Sequence, residues 1–491
     1  MKFKINLKKI ILFFIISSLL LFLFSYKITE VPRGITGDEA AFGYNGILLS
    51  RTLHDENGRK LPVFVLSLNG TDWRQPITQY FITLYFKIFG PSLFNLRFTS
   101  VLIAVLSIWL VYFLAKDLFE SNIGGIVASI FLATTPIFVM QSHLGLDNIY
   151  PIPFVICWLI GLYKYTKTKQ KYWLIISAFG LGFGLYAYKA MRIFVPVWAL
   201  LSLLFISDKF LMKRSLGNLK KVFKPILFFV ISLLPFIIII PILEFLYAGA
   251  VLNNELPIFP GIYNFIYPYL SNFDPSFLFV KGDDLLFHST GMHGMYLLAS
   301  LPFFIVGLLY SWKKSSFWKL IIISFFLGPI LFGFLGSVHR ASRLLAEIPL
   351  YLLICTFGFL TLWQKKAKLV ILLLIGFFAL NYFDFLHYYL WQYADATQNL
   401  FNCFSCSEEA YKLLKNEAIA DNKIPYVDDV IAKREGEVQN FAREIYFDSP
   451  INRWFGAVNL LPKNAVLMTD NDSVPLLNKI GNVGNYYFYI K

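Results

Sequence analysis

Residues 10–45 read IILFFIISSLLLFLFSYKITEVPRGITGDEAAFGYN, an apolar run followed within a dozen residues by the acidic pair Asp38-Glu39. A hydrocarbon layer about 30 Å thick needs roughly 20 apolar residues per crossing helix. The stretch from Ile10 to Tyr26 approaches that length with no charged residue in it. The basic start Met1-Lys2-Phe3-Lys4-Ile5-Asn6-Leu7-Lys8-Lys9 precedes it, and no small-x-small cleavage site follows. The expectation is an uncleaved signal anchor with its N-terminus in the cytoplasm. Two readings then stand for Asp38-Glu39. They are either a helix start, with Asp38 as N-cap or both acids in a dipole-favoured first turn, or a catalytic carboxylate facing the outer aqueous side.

Composition carries the same reading to the whole chain. Of 491 residues, 57% are hydrophobic and 15% charged, against roughly 25% charged in an ordinary soluble domain. Apolar runs recur, which excludes a soluble protein with one large core. The formal net charge of +14 raises the question of nucleic acid. The lysines, however, gather in short loops between apolar runs, the positive-inside pattern, so no nucleic-acid role is assigned. Cys157 and Cys355 sit in apolar runs as small hydrophobes. Cys403 and Cys406 form a lone C-x-x-C, weak as a metal site and able to close a local disulfide if the segment lies outside the cytoplasm.

Moving outward from the first run, residues 27 to about 75 form a long first outer loop, a size that is usually functional. Trp73-Arg74-Gln75-Pro76 leads into Ile77–Phe89, whose rings and polar Thr78, Gln79 and Lys87 suit an interfacial helix. Further spans are expected near 97–119, 122–140, 148–165, 172–188, 192–207, 225–246, 294–311, 317–336, 344–363 and 369–390, giving about eleven with the first. Alternating sides puts the Lys- and Arg-rich stretches Tyr163–Tyr172, Asp208–Lys224, Trp312–Lys319 and Gln364–Lys368 with the N-terminus. The lysine-poor loops holding Asp38, Asp147 and Asp283 fall opposite. The tail beyond about Trp391 then lies outside the cytoplasm and turns polar. Glu408–Glu417 reads as helix, and Ala465–Thr469 and Tyr486–Ile490 read as strands between turn signals. The fold expected is an all-α polytopic membrane domain over residues 1–392 and a small α/β outer domain over 393–491, with no internal repeat. The expected location is the inner (plasma) membrane.

On this topology one face collects carboxylates, cations and imidazoles: Asp38, Glu39 and Arg74; His143, Asp147 and Asn148; Lys189 and Arg192; Asp283, Asp284, His288 and His293; His339, Arg340 and Arg343. Carboxylates serve as general bases or hold a divalent metal, and Asp38 and Asp147 are the candidate metal ligands. Arginine suits bidentate phosphate recognition and lysine supplies a point charge, so an anionic lipid head group fits this face. Each residue also has a plainer role. Lys189 and Arg192 suit snorkelling cations; Arg340 and Arg343 suit binding of bulk lipid phosphate; His143 suits packing. Asp147 is a natural N-cap for a helix starting near Ile149, and Asp283 after Gly282 a natural turn residue. No P-loop, dinucleotide fingerprint, H-E-x-x-H or G-x-S-x-G occurs, so an activated donor would come from the membrane.

At these residues the sequence resembles the polytopic C-type glycosyltransferases, in the bacterial branch related to protein O-mannosyltransferases and lipid A aminoarabinose transferases. Gly37-Asp38-Glu39-Ala40-Ala41-Phe42-Gly43-Tyr44-Asn45 is similar to their first-loop motif, and Asp55-Glu56-Asn57-Gly58 with Leu61-Pro62 to the segment that follows. Arg74-Gln75-Pro76-Ile77 keeps the basic residue of the next block with Gln75 in place of its first proline. Arg97, Asp147, Tyr186-Ala187-Tyr188 with Arg192–Pro196, and Phe277-Leu278-Phe279 with Gly282-Asp283 and His288 resemble further shared blocks. Phe287 stands where the last of these has an arginine.

The likeness covers roughly residues 30–350. It implies a polyprenyl-phosphate-sugar donor and inverting transfer to a lipid, glycan or protein acceptor on the outer face. Asp38 would be the general base, and Glu39 and Asp147 the further catalytic candidates. Arg74, Arg97, Lys189, Arg192, His288, His339, Arg340 and Arg343 are the candidates for holding the donor phosphate. Two other classes compete. A transporter or flippase would place ionisable residues at mid-bilayer on broken, repeated helices. A diphosphate-donor oligosaccharide ligase would carry its long outer loop late in the chain.

Overall fold

The computed structural model describes residues 7–207, 219–252, 259–336, 338–365, 368–420, 422–434, 436–447, 451–456 and 460–491. Parts of three basic stretches named above, 1–6, 208–218 and 366–367, and Ser337, therefore lie outside the described residues. The chain forms two compact units. One holds the residues up to Ile28 with Gln75–Thr78 and Arg97–Tyr393, and the other Thr29–Arg74, Gln79–Leu96 and Ala394–Lys491.

The first unit is helical because its apolar runs satisfy every backbone group internally, the condition for lying in hydrocarbon. Among the described residues six helices are long and apolar enough to cross: Leu93–Phe119, Asp147–Thr168, Phe223–Leu246, Ser316–Leu335, Ala341–Gln364 and Lys368–Trp391. Asn122–Ala133 and Pro136–Ser142 form a pair bent by 67°, and Ile10–Ser25, Tyr172–Leu185, Met191–Ile206 and Leu298–Ser311 are shorter apolar helices. The bend has a local cause. Pro136 opens the second half with no N–H to give, and Thr135 spends its hydroxyl on the Phe131 carbonyl at 2.7 Å.

Helices in lipid approach through small residues, since apolar side chains gain little by leaving lipid for one another. Gly307 faces the Ile354 carbonyl and Gly358 the Phe303 carbonyl, which seats Leu301–Ser311 against Ile348–Gln364. Gly161 meets Trp173 and Ser177 while Gly180 meets Phe154 and Trp158, pairing Pro151–Thr168 with Tyr172–Leu185 in the same way. Any side chain at these glycines would drive two backbones apart.

The second unit mixes helices with sheet. A short antiparallel hairpin pairs β1 (Val65–Ser67) with β2 (Asp72–Arg74), Val65 opposite Arg74. The five-stranded sheet runs in the order β4-β3-β5-β7-β6, from β3 (Ile424–Asp428), β4 (Asn452–Trp454), β5 (Ala465–Thr469), β6 (Asn478–Val483) and β7 (Tyr486–Ile490). β3 runs parallel to both β4 and β5, whereas β5–β7 and β6–β7 are antiparallel. β5 is buried at all five positions, as its unbroken AVLMT sequence requires of a strand covered on both faces. The two strands and the helix expected in the tail are present, the helix as Phe404–Ala420.

Two glycines fix the packing of the helix Gly37–Thr52. A Cβ at Gly43 would lie 2.6 Å from the Phe441 ring, and one at Gly46 would lie 2.9 Å from Ile82. Phe441 in turn stacks on Phe86 at 6.3 Å and packs on Phe404 at 5.3 Å. Within this unit Ile82 and Phe86 are buried while Leu84, Ile88 and Phe89 are exposed, the two-faced pattern expected of an interfacial helix.

Candidate active site

Within the second unit, the start of Gly37–Thr52 is built by Thr36. Its hydroxyl accepts the Glu39 N–H at 3.0 Å, and the Glu39 carboxylate accepts the Thr36 N–H at 3.3 Å. That reciprocal pair is a capping box. Thr36, and not Asp38, is therefore the N-cap. Glu39 is fully buried, whereas Asp38, one residue earlier in the same turn, turns outward with its side chain 52% exposed. The adjacent acids thus have opposite environments: one held in a cap, one open to water at the positive end of a helix dipole.

Asp38 faces a buried cation. Arg74, at the end of β2 and 4% exposed, brings Nη2 to 2.8 Å from Asp38 and 3.3 Å from Asp72. Its Nε donates to Ser67 Oγ at 2.6 Å, and its guanidinium lies 5.1 Å from the Phe42 ring. The Nη2 contact with Asp38 is a charge contact lying off the N–H axis. Hairpin register sets this geometry, because Ser67 and Asp72 are cross-strand partners and put hydroxyl and carboxylate beside the arginine.

The segment Asp55–Arg59 forms a tight turn beside the same helix. Asp55 Oδ1 accepts the Asn57 and Arg59 amides at 3.0 and 2.8 Å, and Gly58 takes the positive φ of 74° that the turn requires. Asn45, buried in the helix, donates to Glu56 at 2.9 Å and accepts the Glu56 N–H at 3.0 Å. Burial pushes the Glu56 carboxyl up to about 7, helped by the neighbouring charges of Glu437 and Asp55 and opposed by the Asn45 hydrogen bond and Arg74. Burial likewise pushes the Tyr44 phenol up to about 12. Sequence reading passed over Asn45, Glu56 and Glu437 as site members; their burial is a tertiary fact with no local signal.

In the first unit the remaining candidates fall in three places. Asp147 opens the short helical turn Asp147–Ile149 ahead of Pro151–Thr168, half-buried, while Leu146 takes the N-cap position. Asn148 donates to Gln141 at 2.8 Å, and Gln141 reaches His288 Nδ1 at 3.3 Å. His143 packs buried on Tyr389 at 5.4 Å. The loop after Tyr172–Leu185 carries Tyr188 and Lys189, and burial holds the Tyr188 phenol above its usual range, reinforced by Asp147 and opposed by Ser342, Arg343 and Arg340. Asp147, Tyr188 and the Arg340–Arg343 segment therefore share one electrostatic neighbourhood. Arg192, in the first turn of Met191–Ile206, donates to Gln75 at 3.3 Å and to the Ala250 carbonyl, while its buried Nε has no hydrogen-bond partner among the described residues.

Asp283 fastens the third place. Its buried carboxylate accepts the Leu285 amide at 2.9 Å and the Ala341 amide at 2.7 Å, tying the 281–297 loop to the helix Ala341–Glu347. His339 lies on Phe277 at 4.1 Å, and Arg340 is exposed. His293 pairs with Asp384 at 3.1 Å. Arg97 is fully buried and donates to the Ile28 carbonyl at 2.8 Å. Among the described residues no group of three or more His, Cys, Asp or Glu is gathered as a metal site would need.

The resemblance drawn from Gly37–Asn45 is joined by a family match over part of the chain and by a likeness in fold to solved structures. Residues 74–243 match the family described as dolichyl-phosphate-mannose-protein mannosyltransferase. The structure is similar to ArnT from Cupriavidus metallidurans in its apo state, at TM-score 0.58 and 11% identity over 98% of this chain and 97% of that one. It is similar also to the same protein bound to undecaprenyl phosphate, at TM-score 0.59 and 10% identity over 98% of each chain. No curated protein matches the sequence.

Proposed function

We propose that this protein is an integral-membrane glycosyltransferase moving a sugar from a polyprenyl-phosphate donor to an acceptor hydroxyl on the extracytoplasmic face. The observation that carries the reading is the Asp38 carboxylate, exposed in a helix first turn and held by a buried arginine. A base must reach its proton, and the outward-turned Asp38 carboxylate is open to an acceptor hydroxyl. Asp38 takes the proton from the acceptor hydroxyl, whose oxygen attacks the anomeric carbon from the face opposite the phosphate. The carbon–oxygen bond to phosphate breaks and configuration inverts. Polyprenyl phosphate leaves as a stable anion and needs no proton of its own.

Lys189, Arg192, Arg340 and Arg343 are assigned to the donor phosphate, where cations stabilise the charge that develops on leaving. His288 and His339 are assigned to the same loops as hydrogen-bonding partners, and Asp147 to orienting the reacting groups. Glu39 is a positioning residue through the capping box, and Arg97 holds the Ile28 carbonyl. With Asp38 already paired to a cation, no step is routed through a metal. The family match and the ArnT likeness support this reading, and that relative's bound undecaprenyl phosphate supports the donor class. The reading places the N-terminus in the cytoplasm, the tail outside, and about eleven spans between them.

Asp38→Asn is expected to abolish sugar transfer in purified protein while membrane insertion and abundance stay at wild-type level. Retained transfer would overturn the assignment of the base.

A further inference from the structure

The tail is joined to the Asp38 loop next to a pair of cysteines that the transfer reaction does not use. Cys403 and Cys406 are linked as a disulfide. Cys403 immediately precedes the 17-residue helix Phe404–Ala420, and its Sγ accepts the Cys406 N–H at 3.2 Å. A side-chain acceptor at that position, bonded to an amide three residues on, has the geometry of an N-cap. Cys403 is exposed, whereas Cys406 is half-buried. One residue before the pair, Asn402 exchanges two backbone hydrogen bonds with Ile35: Ile35 N–H to Asn402 O at 2.9 Å and Asn402 N–H to Ile35 O at 2.9 Å. Gly34, at φ +100°, lies so close to the Asn402 carbonyl that a side chain there would collide with it. Ile35 is followed directly by Thr36, the cap that sets the turn carrying Asp38.

From this placement we infer that Cys403–Cys406 is a thiol–disulfide exchange site, reduced by an extracytoplasmic dithiol, which acts through the Asn402–Ile35 bridge as a redox-set clip on the Asp38 loop. The dithiol's thiolate attacks Cys403 Sγ, the exposed sulfur, breaking the Cys403–Cys406 bond and releasing Cys406 as thiolate. The second thiol of the same molecule attacks the mixed disulfide and releases Cys403 as thiolate. Two electrons pass to the cysteine pair, the dithiol becomes a disulfide, and its two protons are taken up by the two thiolates. The leaving Cys403 thiolate is favoured by the Cys406 amide, by Ser405 Oγ at 3.5 Å and by the helix N-terminus. Closing four residues into a ring removes freedom from the turn. Opening it returns that freedom beside Asn402, so the bridge to Ile35 breaks more often.

The outer location of the dithiol and any bearing of the clip on transfer rest on the topology and the Asp38 assignment proposed above; the exchange chemistry and the loosening of the loop do not, so their failures are distinguishable. The experiment uses full-length protein in lipid nanodiscs, with free thiols blocked at lysis, read by mass spectrometry and by hydrogen exchange with and without dithiothreitol. The expected result is a disulfide on isolation, reduction without denaturant, and several-fold faster exchange across Gly34–Ala40 while Ala465–Thr469 stays protected. The double variant Cys403→Ser/Cys406→Ser is expected to show the faster exchange with or without dithiol. At neutral pH, iodoacetamide is expected to modify Cys403 in Cys406→Ser several-fold faster than Cys406 in Cys403→Ser. Free thiols on isolation, resistance to dithiol in the folded protein, or equal alkylation rates would overturn the exchange site. Reduction with unchanged exchange at Gly34–Ala40 would overturn the clip.

Discussion

Arg74 and Glu56 carry opposite electrostatic burdens beside the first-loop helix. Removing Arg74 takes away a buried cation that serves Asp38, Asp72, Ser67 and the Phe42 ring together. Arg74→Ala is expected to destabilise the protein by about 2 kcal/mol, because packing and hydrogen bonds vanish with the charge. Asp38→Asn leaves Arg74 its other partners and is expected to cost under about 1 kcal/mol, the range of an exposed ion pair. Thermal denaturation of the two variants checks the difference.

Glu56 titrates near 7 in the folded chain, above its ordinary value of 4.5. The folded state therefore holds the proton more tightly than the unfolded one. Its contribution is complete below about 4.5 and is lost as pH rises through about 7. Glu56→Gln is expected to raise Tm relative to wild type at pH 8.5 and to change it little at pH 5. A larger loss of stability in the variant at pH 8.5 would refute the buried charge. At this scale the sequence reading offered Asp38 as the N-cap and passed over a local signal, the Thr36-x-x-Glu39 spacing of a capping box, which leaves Asp38 as the acid outside the cap. It held no sign of the Glu56 environment, because the groups around it come from residue 45 and residue 437.

The elements repeat this division between local signal and long-range contact. Gly43 reads in sequence as part of a motif around an acidic pair and Gly46 lies just beyond it, and the structure gives both a packing reason: Phe441 and Ile82 occupy the space a side chain would take. Gly43→Val is expected to cost roughly 1–3 kcal/mol by overpacking and to loosen the helix that presents Asp38, seen as a lower Tm and faster hydrogen exchange across Gly37–Thr52. A paired Phe441→Ala should recover part of the loss. Unchanged stability would mean that the helix sits elsewhere. The sequence reading ran one span from 122 to 140 straight through the break at Thr135-Pro136, and it gave no sign of the π-helical turn Ser276–Val280. That turn answers to the Met295 and Tyr296 amides bonding Phe277 and Leu278 at 3.1 and 2.8 Å.

Over the described residues, hydropathy located the apolar helices named above, because each must satisfy its own backbone, and it passed over Ile262–Ser271. What it did not reveal is that residues 29–74 share a compact unit with 394–491. Composition is a local property, and the pairing of Ile35 with Asn402 spans the length of the chain. A reporter fused after Lys491 is expected to read extracytoplasmic; a cytoplasmic signal would break the span count and the one-sided site together. The central claim is that the protein cleaves the bond between a sugar and polyprenyl phosphate, and the lipid retained on purification tests it most directly. Mass spectrometry of extracted lipid is predicted to find polyprenyl monophosphate with wild-type protein and its sugar-linked form accumulating with Asp38→Asn. A lipid diphosphate, bulk phospholipid alone, or the same lipid in the same form from both proteins would contradict it.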